Sequence, residues 1–194
     1  DLNRAVAPRS FFAPDPGSAS VATIGGMAAT NASGLRAVKY GTAKNHVMGL
    51  EVVLAGGKVL RTGTRAPKSS AGYDLTRLFV TSEGTLGVMT ELTVKLTPTP
   101  KYTAFATATF RSVEDAGRSV SEILAAGIGL SICEIMDRTS IRVVNTAMKL
   151  GLPDVASMLV MEVDGHPVAV QDEITEIVLV CKRNHAIESR WSDD

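Results

Sequence analysis

The middle of the chain alternates between apolar and polar side chains. Residues 86–96 follow a two-residue period, which predicts a long strand. The side chains expected on its apolar face are Val88, Thr90, Leu92, Val94 and Leu96. Residues 50–60 carry two β-rich runs around Gly56 and Gly57. Because paired glycines accept the positive φ angles of a tight turn, this stretch predicts a β-hairpin.

The C-terminal half alternates strand patterns with helix patterns. Apolar residues after Ser112 recur at helical spacing, with Ser112 as the expected N-cap and Gly127 as the expected stop. The other predicted segments are strands at 103–110, 132–136, 158–163 and 186–189, and helices at 138–150 and 168–183. This order favours an antiparallel sheet covered by helices on one face. It resembles a split βαβ arrangement if the second helix is an elaboration of a connection.

The first half of the chain differs in composition and pattern. Residues 1–40 are rich in Ala, Gly, Ser, Pro and Asn without periodic apolar positions, which predicts irregular backbone. Asp74 is expected to cap a short helical turn at residues 75–78. Two prolines in residues 97–100 mark an extended linker. We therefore place a domain boundary there, between residues 1–100 and 101–194.

Composition limits the class of protein. The chain has 194 residues, is 45% hydrophobic and carries 20 basic against 20 acidic residues. It can bury a core, so disordered and fibrous classes are excluded, and the lack of clustered positive charge argues against nucleic acid and anionic membranes. It contains no long apolar stretch and no signal-peptide pattern, so a cytoplasmic location is expected. Because the first residue is Asp1, the true N-terminus and any targeting segment are expected elsewhere.

The cysteines and histidines give no metal or redox pattern. Cys133 and Cys181 form no C-x-x-C motif, so we expect buried free thiols. His46, His166 and His185 are too scattered for a ligand set and are expected to be surface or locally bonded residues. No metal site is predicted.

Glycine-rich segments are the strongest chemical signal. They comprise residues 14–17, 23–26 and 30–34, followed later by 82–88. Glycines let a ligand approach the main chain, and exposed N–H groups can cradle an anion such as pyrophosphate. Neither the Rossmann nor the P-loop spacing is present. On local chemistry alone, a plain glycine-rich loop and a bulge or tight bend remain the alternatives.

Three segments together resemble a known family. They are P-D-P-G-S-A-S-V-A-T-I-G-G-M-A-A-T-N-A-S-G-L-R-A-V-K-Y-G (14–41), L-E-V-V-L-A-G-G-K-V-L-R-T-G (50–63) and K-S-S-A-G-Y-D-L-T-R-L-F-V-T-S-E-G-T-L-G-V (68–88). The sequence resembles the FAD-linked oxidases of the vanillyl-alcohol oxidase type, and within them the D-lactate dehydrogenase and glycolate oxidase catalytic-subunit branch. The resemblance implies an α+β fold. Residues 1–100 would be the second part of a PCMH-type FAD-binding domain, and residues 101–194 the start of a ferredoxin-like FAD-linked oxidase C-terminal domain.

The resemblance also implies which residues meet FAD. Those expected at the flavin and its phosphates are Asp15, Thr23, Gly25 and Gly26. Those expected beside the isoalloxazine and ribityl are Thr30, Asn31, Ala32 and Ser33. Those expected at the adenosine half are Glu83, Gly84, Thr85, Leu86, Gly87 and Val88. Most of these contacts would come from backbone groups, because fixed N–H groups satisfy the many acceptors of a dinucleotide.

The implied activity is oxidation of a small 2-hydroxy acid, D-lactate or glycolate, with hydride transfer to flavin and onward transfer to an unidentified electron acceptor. The family's pyrophosphate loop is expected upstream of Asp1, and its substrate arginine and metal-linked histidines beyond Asp194. The expected partners are therefore missing parts of a parent chain or a partner subunit. No residue is assigned as the catalytic base.

Two alternatives stay open: another alcohol or ether-lipid oxidase of the same flavin fold, and a non-catalytic fragment that does not bind flavin alone. Arg36, Lys39 and Lys44 either steer an anionic group or are solvated surface charges. The sequence offers no compelling candidate for a covalent flavin link, since Tyr40 and His46 alone, of the residue types that form one, are near these segments.

Overall fold

The computed structural model describes residues 1–66 and 68–193 and divides into two compact units, Asp1–Thr99 and Pro100–Asp194. Asp194, the last residue of the predicted second domain, lies outside the described residues. The helices of the first unit are α1 (Leu2–Val6), α2 (Ile24–Thr30), α3 (Ala37–Tyr40), α4 (Ala43–His46) and α5 (Leu75–Phe79). Its strands are β1 (Ser10–Phe11), β2 (Val47–Val53), β3 (Val59–Gly63), β4 (Val88–Val94) and β5 (Thr97–Pro98).

A three-stranded antiparallel sheet in the order β3-β2-β4 forms the centre of the first unit. The β2–β3 hairpin closes where Gly57 N donates to Leu54 O at 2.8 Å, which confirms the predicted turn at the paired glycines. The core beneath the sheet consists of Ala28, Val47, Leu50, Val52, Phe79 and Val80. The sheet and its core thus hold α2 and α5, which contribute Ala28 and Phe79, in place.

Strand β4 departs from the predicted single apolar face. Met89 and Leu92 pack against the core, whereas Val88 is 65% exposed. The pairing with β2 shifts register at Thr90, because Glu91 lies opposite Glu51 and Met89 opposite Val52. A bulge inserts one extra residue and reverses the phase of the alternation. The prediction that Val88 and Thr90 share the apolar face of Leu92 is therefore wrong.

The prediction of irregular backbone for residues 1–40 is also partly wrong. This stretch contains α1, α2, α3 and the short strand β1, which pairs with β5. Each helix is at most seven residues long, which is too short to show a helical period in the sequence. The prediction for Asp74 is confirmed, because its carboxylate accepts a hydrogen bond from Arg77 N at 3.0 Å at the start of α5.

The described residues of the second unit form three helices and four strands. The helices are α6 (Val113–Ala125), α7 (Arg138–Met148) and α8 (Pro167–Arg183), and the strands are β6 (Tyr102–Phe110), β7 (Leu130–Asp137), β8 (Ser157–Gly165) and β9 (Glu188–Ser192). The antiparallel sheet has the order β7-β8-β6-β9, so β8 lies between the two strands that α6 connects. This confirms the split βαβ, ferredoxin-like arrangement, in which α7 is an addition to the connection between β7 and β8.

The helix ends of the second unit follow the predicted signals. Ser112 Oγ accepts a hydrogen bond from Asp115 N at 3.1 Å, and Gly127 has a φ of 76°, as a C-terminal glycine does. The last strand begins two residues later than predicted. Ala186 N donates to Cys181 O at 3.0 Å and completes the end of α8, so the ladder with β6 runs from Glu188.

The two cysteines differ in burial. Cys181 is fully buried among the core residues, and Cys133 is half-buried, so the prediction of buried free thiols holds fully for Cys181 and in part for Cys133. Burial raises the pKa of Cys181 to about 11. Burial and, less strongly, the neighbouring Glu134 carboxylate raise the pKa of Cys133. Among the described residues, no helix is long and apolar enough to cross a membrane.

Cys181 is expected to resist a thiol reagent such as dithionitrobenzoate at about pH 8, near the pKa of an ordinary cysteine. The thiolate is the reacting form, and a raised pKa leaves only a small fraction of it. Cys133 is expected to react slowly in the folded chain, and both thiols quickly in denaturant. Rapid labelling of two thiols in the native chain, counted by mass spectrometry with Cys133→Ser and Cys181→Ser as controls, would contradict the described burial.

Candidate functional site

The Asp15 loop is fixed to the turn around Gly34. Asp15 Oδ1 accepts a hydrogen bond from Arg36 N at 3.2 Å. A Cβ on Gly34 would lie 2.1 Å from Asp15 O, so only glycine allows this approach. One carboxylate oxygen of Asp15 therefore holds the loop in place. The predicted contact of Asp15 with flavin would then come from the other carboxylate oxygen and from the loop backbone.

Three of the predicted residues form the first turn of α2. Thr23 is its N-cap, and Thr23 Oγ1 accepts a hydrogen bond from Gly26 N at 3.1 Å. Thr30 Oγ1 donates to Gly26 O at 2.9 Å at the other end of the helix. No heavy atom of residues 1–66 or 68–193 lies within 4 Å of the position that a Cβ on Gly25 would occupy. The backbone at Gly25 thus faces open space, which a ligand can reach.

Asn31 ends α2 in the left-handed conformation, with a φ of 52°. Its side-chain Oδ1 accepts from Thr42 Oγ1 at 2.7 Å and from Lys44 N at 2.8 Å. Ala32 joins the same turn, because Ala43 N donates to Ala32 O at 3.0 Å, while Ser33 is exposed. The side-chain carbonyl oxygen of Asn31 therefore accepts hydrogen bonds within the protein, and its side-chain NH2 group remains available to a ligand.

The second glycine-rich segment lies directly against α2. Thr81 N donates to Ala28 O at 3.1 Å, and Glu83 N donates to Ala29 O at 3.0 Å. The structure thus joins the two segments that the sequence predicted for FAD. Glu83 and Gly84 both have positive φ, 49° and 79°, and Gly84 has open space at its Cβ position.

The remaining residues of this segment have different roles. Thr85 closes the turn, since Thr85 Oγ1 donates to Ser82 O at 2.6 Å. A Cβ on Gly87 would lie 2.7 Å from Val52 Cγ1 and 2.8 Å from Val53 O, so packing against β2 alone requires this glycine. Leu86 and Val88 are 43% and 65% exposed. Close backbone packing therefore accounts for Gly87.

The histidines agree with the prediction of local or surface roles. His46 is buried, and its Nε2 donates to Tyr40 O at 2.9 Å, while the ring packs edge-on against Phe12. Because a carbonyl only accepts, Nε2 is the donor in this bond, and the buried Nδ1 has no hydrogen-bond partner among the described residues. His166 and His185 are exposed.

Sequence reasoning missed the residues that support Asn31. Thr42 caps α4 with a capping box completed by Asn45, and the Thr42 hydroxyl also reaches Asn31. The T-x-x-N spacing was the available signal for this cap. Its link to Asn31 joins residues that are distant in sequence and could not be predicted from it.

Two family models match the chain. The model described as "FAD binding domain" matches residues 1–63, and the one described as "FAD linked oxidases, C-terminal domain" matches residues 99–194. The chain belongs to the FAD-linked oxidases. FAD is the cofactor named in both family descriptions, and the open backbone at Gly25 and Gly84 fits a cofactor held by main-chain contacts.

Curated members of the FAD-linked oxidases are similar over almost the whole chain. Glycolate oxidase subunit GlcD of Bacillus subtilis is 43% identical over 189 residues, which are 96% of this chain and 40% of that protein. Mitochondrial D-lactate dehydrogenase [cytochrome] of Arabidopsis thaliana is 42% identical over 184 residues, which are 95% of this chain and 32% of that protein. The chain thus spans two-fifths or less of these relatives.

A solved structure shares the fold. Alkyldihydroxyacetonephosphate synthase superposes with a TM-score of 0.80 and 19% sequence identity, covering 97% of this chain and 38% of that one. At this identity the likeness supports the mixed α/β fold of an FAD-linked oxidase, and it carries no information about substrate.

Proposed function

We propose that the chain is part of an FAD-dependent enzyme that oxidises a small 2-hydroxy acid, glycolate or D-lactate. The observation that carries this proposal is the identity of 38–43% over nearly the whole chain to proteins named glycolate oxidase subunit or D-lactate dehydrogenase. The 2-hydroxy acid is therefore the better supported substrate class.

We further propose that residues 1–100 form the second part of the FAD-binding domain and residues 101–194 the start of the substrate domain. The family matches at 1–63 and 99–194 support this assignment. A partner subunit is also proposed, because the Bacillus subtilis relative is named a subunit. The electron acceptor stays unidentified, and the cytoplasmic location stays a prediction.

The proposed FAD contacts come from the two joined segments. They are Asp15, Thr23, Gly25, Gly26, Thr30, Asn31, Ala32 and Ser33 in the first, and Glu83, Gly84, Thr85, Leu86, Gly87 and Val88 in the second. The hydrogen bonds from residues 81 and 83 to α2 support a common surface. Residues 83–88 lie between the two family matches, so their assignment depends on this geometry and on the resemblance.

The chain's own residues supply binding and orientation. When bound, FAD would supply the hydride acceptor for oxidation at the substrate α-carbon. The Thr23 cap and the Asn31–Thr42 bond fix the backbone beside which the cofactor would lie, which limits the ordering needed on binding. We assign no catalytic base to any described residue.

The first test is the visible absorption spectrum of the purified chain, before and after FAD is added. We expect a protein-induced shift of the flavin bands that saturates with FAD. A spectrum identical to that of free FAD at every ratio would show that the two segments do not form a binding surface in this chain, as the fragment alternative states.

The substrate class is tested in the complete protein that contains this chain. Anaerobic glycolate or D-lactate is expected to bleach the flavin bands, while an ether-lipid precursor leaves them unchanged. Bleaching by the lipid precursor alone would establish the alternative alcohol or ether-lipid oxidase.

A further inference from the structure

The first unit contains a cleft of about 790 Å³, which we call the lysine cleft. It lies between α4, β3, α5 and the loop that precedes α5, with Lys95 at one side. Its volume is within the range of about 300–1,000 Å³ that is usual for small-molecule sites. Among the described residues that line it, none belongs to the set proposed to hold FAD.

The lining of the lysine cleft is strongly cationic. Arg61 pairs with Glu51 at 2.6 Å, and Arg77 pairs with Asp74 at 3.3 Å. The other three cations, Lys44, Lys68 and Lys95, enter no ion pair with any described residue. Three uncompensated charges around one concave surface, in a chain of zero net charge, create a local positive potential.

Neutral donors line the same space. The hydroxyls of Thr62 and Thr76 lie 2.9 Å apart, and Thr76 is only 4% exposed. One hydroxyl donates to the other, so the accepting hydroxyl keeps its own proton for a further acceptor. Tyr73, also in the lining, is 95% exposed and offers a ring against which an organic group can pack.

These features indicate a ligand with several negative oxygens. Lysine binds phosphate as a point charge, and hydroxyl donors complete the coordination of its oxygens. We propose that the lysine cleft binds a phosphate-bearing anion of the pyrophosphate type, at a site separate from the flavin segments. The proposal does not depend on the proposed function, because it rests on residues outside the FAD-binding set.

The test is calorimetric titration of the 194-residue chain with inorganic pyrophosphate at constant ionic strength. We compare the wild type with Lys44→Gln/Lys95→Gln, and with Lys58→Gln/Lys101→Gln, which makes the same charge change at exposed positions outside the cleft. The two lysines supply charged donors to the anion, so the cleft variant should bind at least about tenfold more weakly. The control variant should bind like the wild type.

A second measurement localises the site without a variant. Amide chemical shifts of Thr62 and Thr76 should move on addition of pyrophosphate, while those of residues 25 and 84 should not. Equal weakening in both double variants, or the absence of saturable binding, would overturn the proposal, since screened surface charge would then explain any heat. FAD should not displace pyrophosphate. If FAD displaced pyrophosphate from the wild type but not from the cleft variant, the lysine cleft would be part of the flavin site. That result would overturn the proposal of a separate site.

Discussion

Gly63→Ala is expected to lower the free energy of unfolding of the first unit by about 3 kcal/mol or more. A Cβ on Gly63 would lie 2.0 Å from Met48 O and 2.6 Å from Gly49 Cα, both of which are backbone atoms that cannot rotate away. The φ of 80° adds the left-handed strain that a side chain brings. Denaturant unfolding of the whole chain, followed by circular dichroism, measures the change.

Gly57→Ala is the matched control. Gly57 has nearly the same φ, 76°, but no atom of the described part of the chain lies within 4 Å of its Cβ position. The Gly57→Ala substitution should lower the free energy of unfolding only by the conformational strain, about 1 kcal/mol. If both variants were destabilised equally, the close approach of β3 to β2 at Gly63 would have no energetic importance and the described packing would be wrong.

Gly25→Ala is expected to weaken FAD binding by about ten- to hundredfold while the chain keeps its stability. Inside the protein nothing opposes the added methyl group, and alanine favours a helix over glycine by about 1 kcal/mol. In the proposed complex the same methyl group would occupy space taken by the cofactor, an overpacking cost of about 1–3 kcal/mol. Titration of the absorption shift and a thermal unfolding curve separate the two effects.

Gly117→Ala provides the control for this variant. Gly117 also lies in a helix, α6, with no atom within 4 Å of its Cβ position, but it belongs to the second unit. It should show the same small gain in stability and unchanged FAD affinity. If Gly25→Ala also left the FAD affinity unchanged, residue 25 would not be part of the proposed flavin site.

Short sequence signals were enough to predict the turns and helix caps whose hydrogen bonds form within a few residues. The paired glycines at 56 and 57, the Ser112 cap and the Asp74 cap each satisfy backbone groups within a few residues, so the sequence around them is sufficient. The split βαβ order of the second unit followed from the regular alternation of its strand and helix patterns.

Features that depend on distant contacts were not predictable. The bulge at Thr90 arises from pairing with Glu51, and it changed which side chains of β4 reach the core. Helix α2 has too few residues to show a period, and its position comes from Ala28 in the core. For the candidate site, the residues could be named from a resemblance, but not their internal roles, such as the packing of Gly87 on Val52.

The hydrogen bonds from residues 81 and 83 to the carbonyls of Ala28 and Ala29 make the two glycine-rich segments one cooperative unit. Local opening of either segment breaks the bonds that order the other, so both should exchange their amide protons in step. Any ligand that binds across them draws on the stability of that shared unit, and it stabilises α2 and the turn before β4, which are remote in sequence, at the same time.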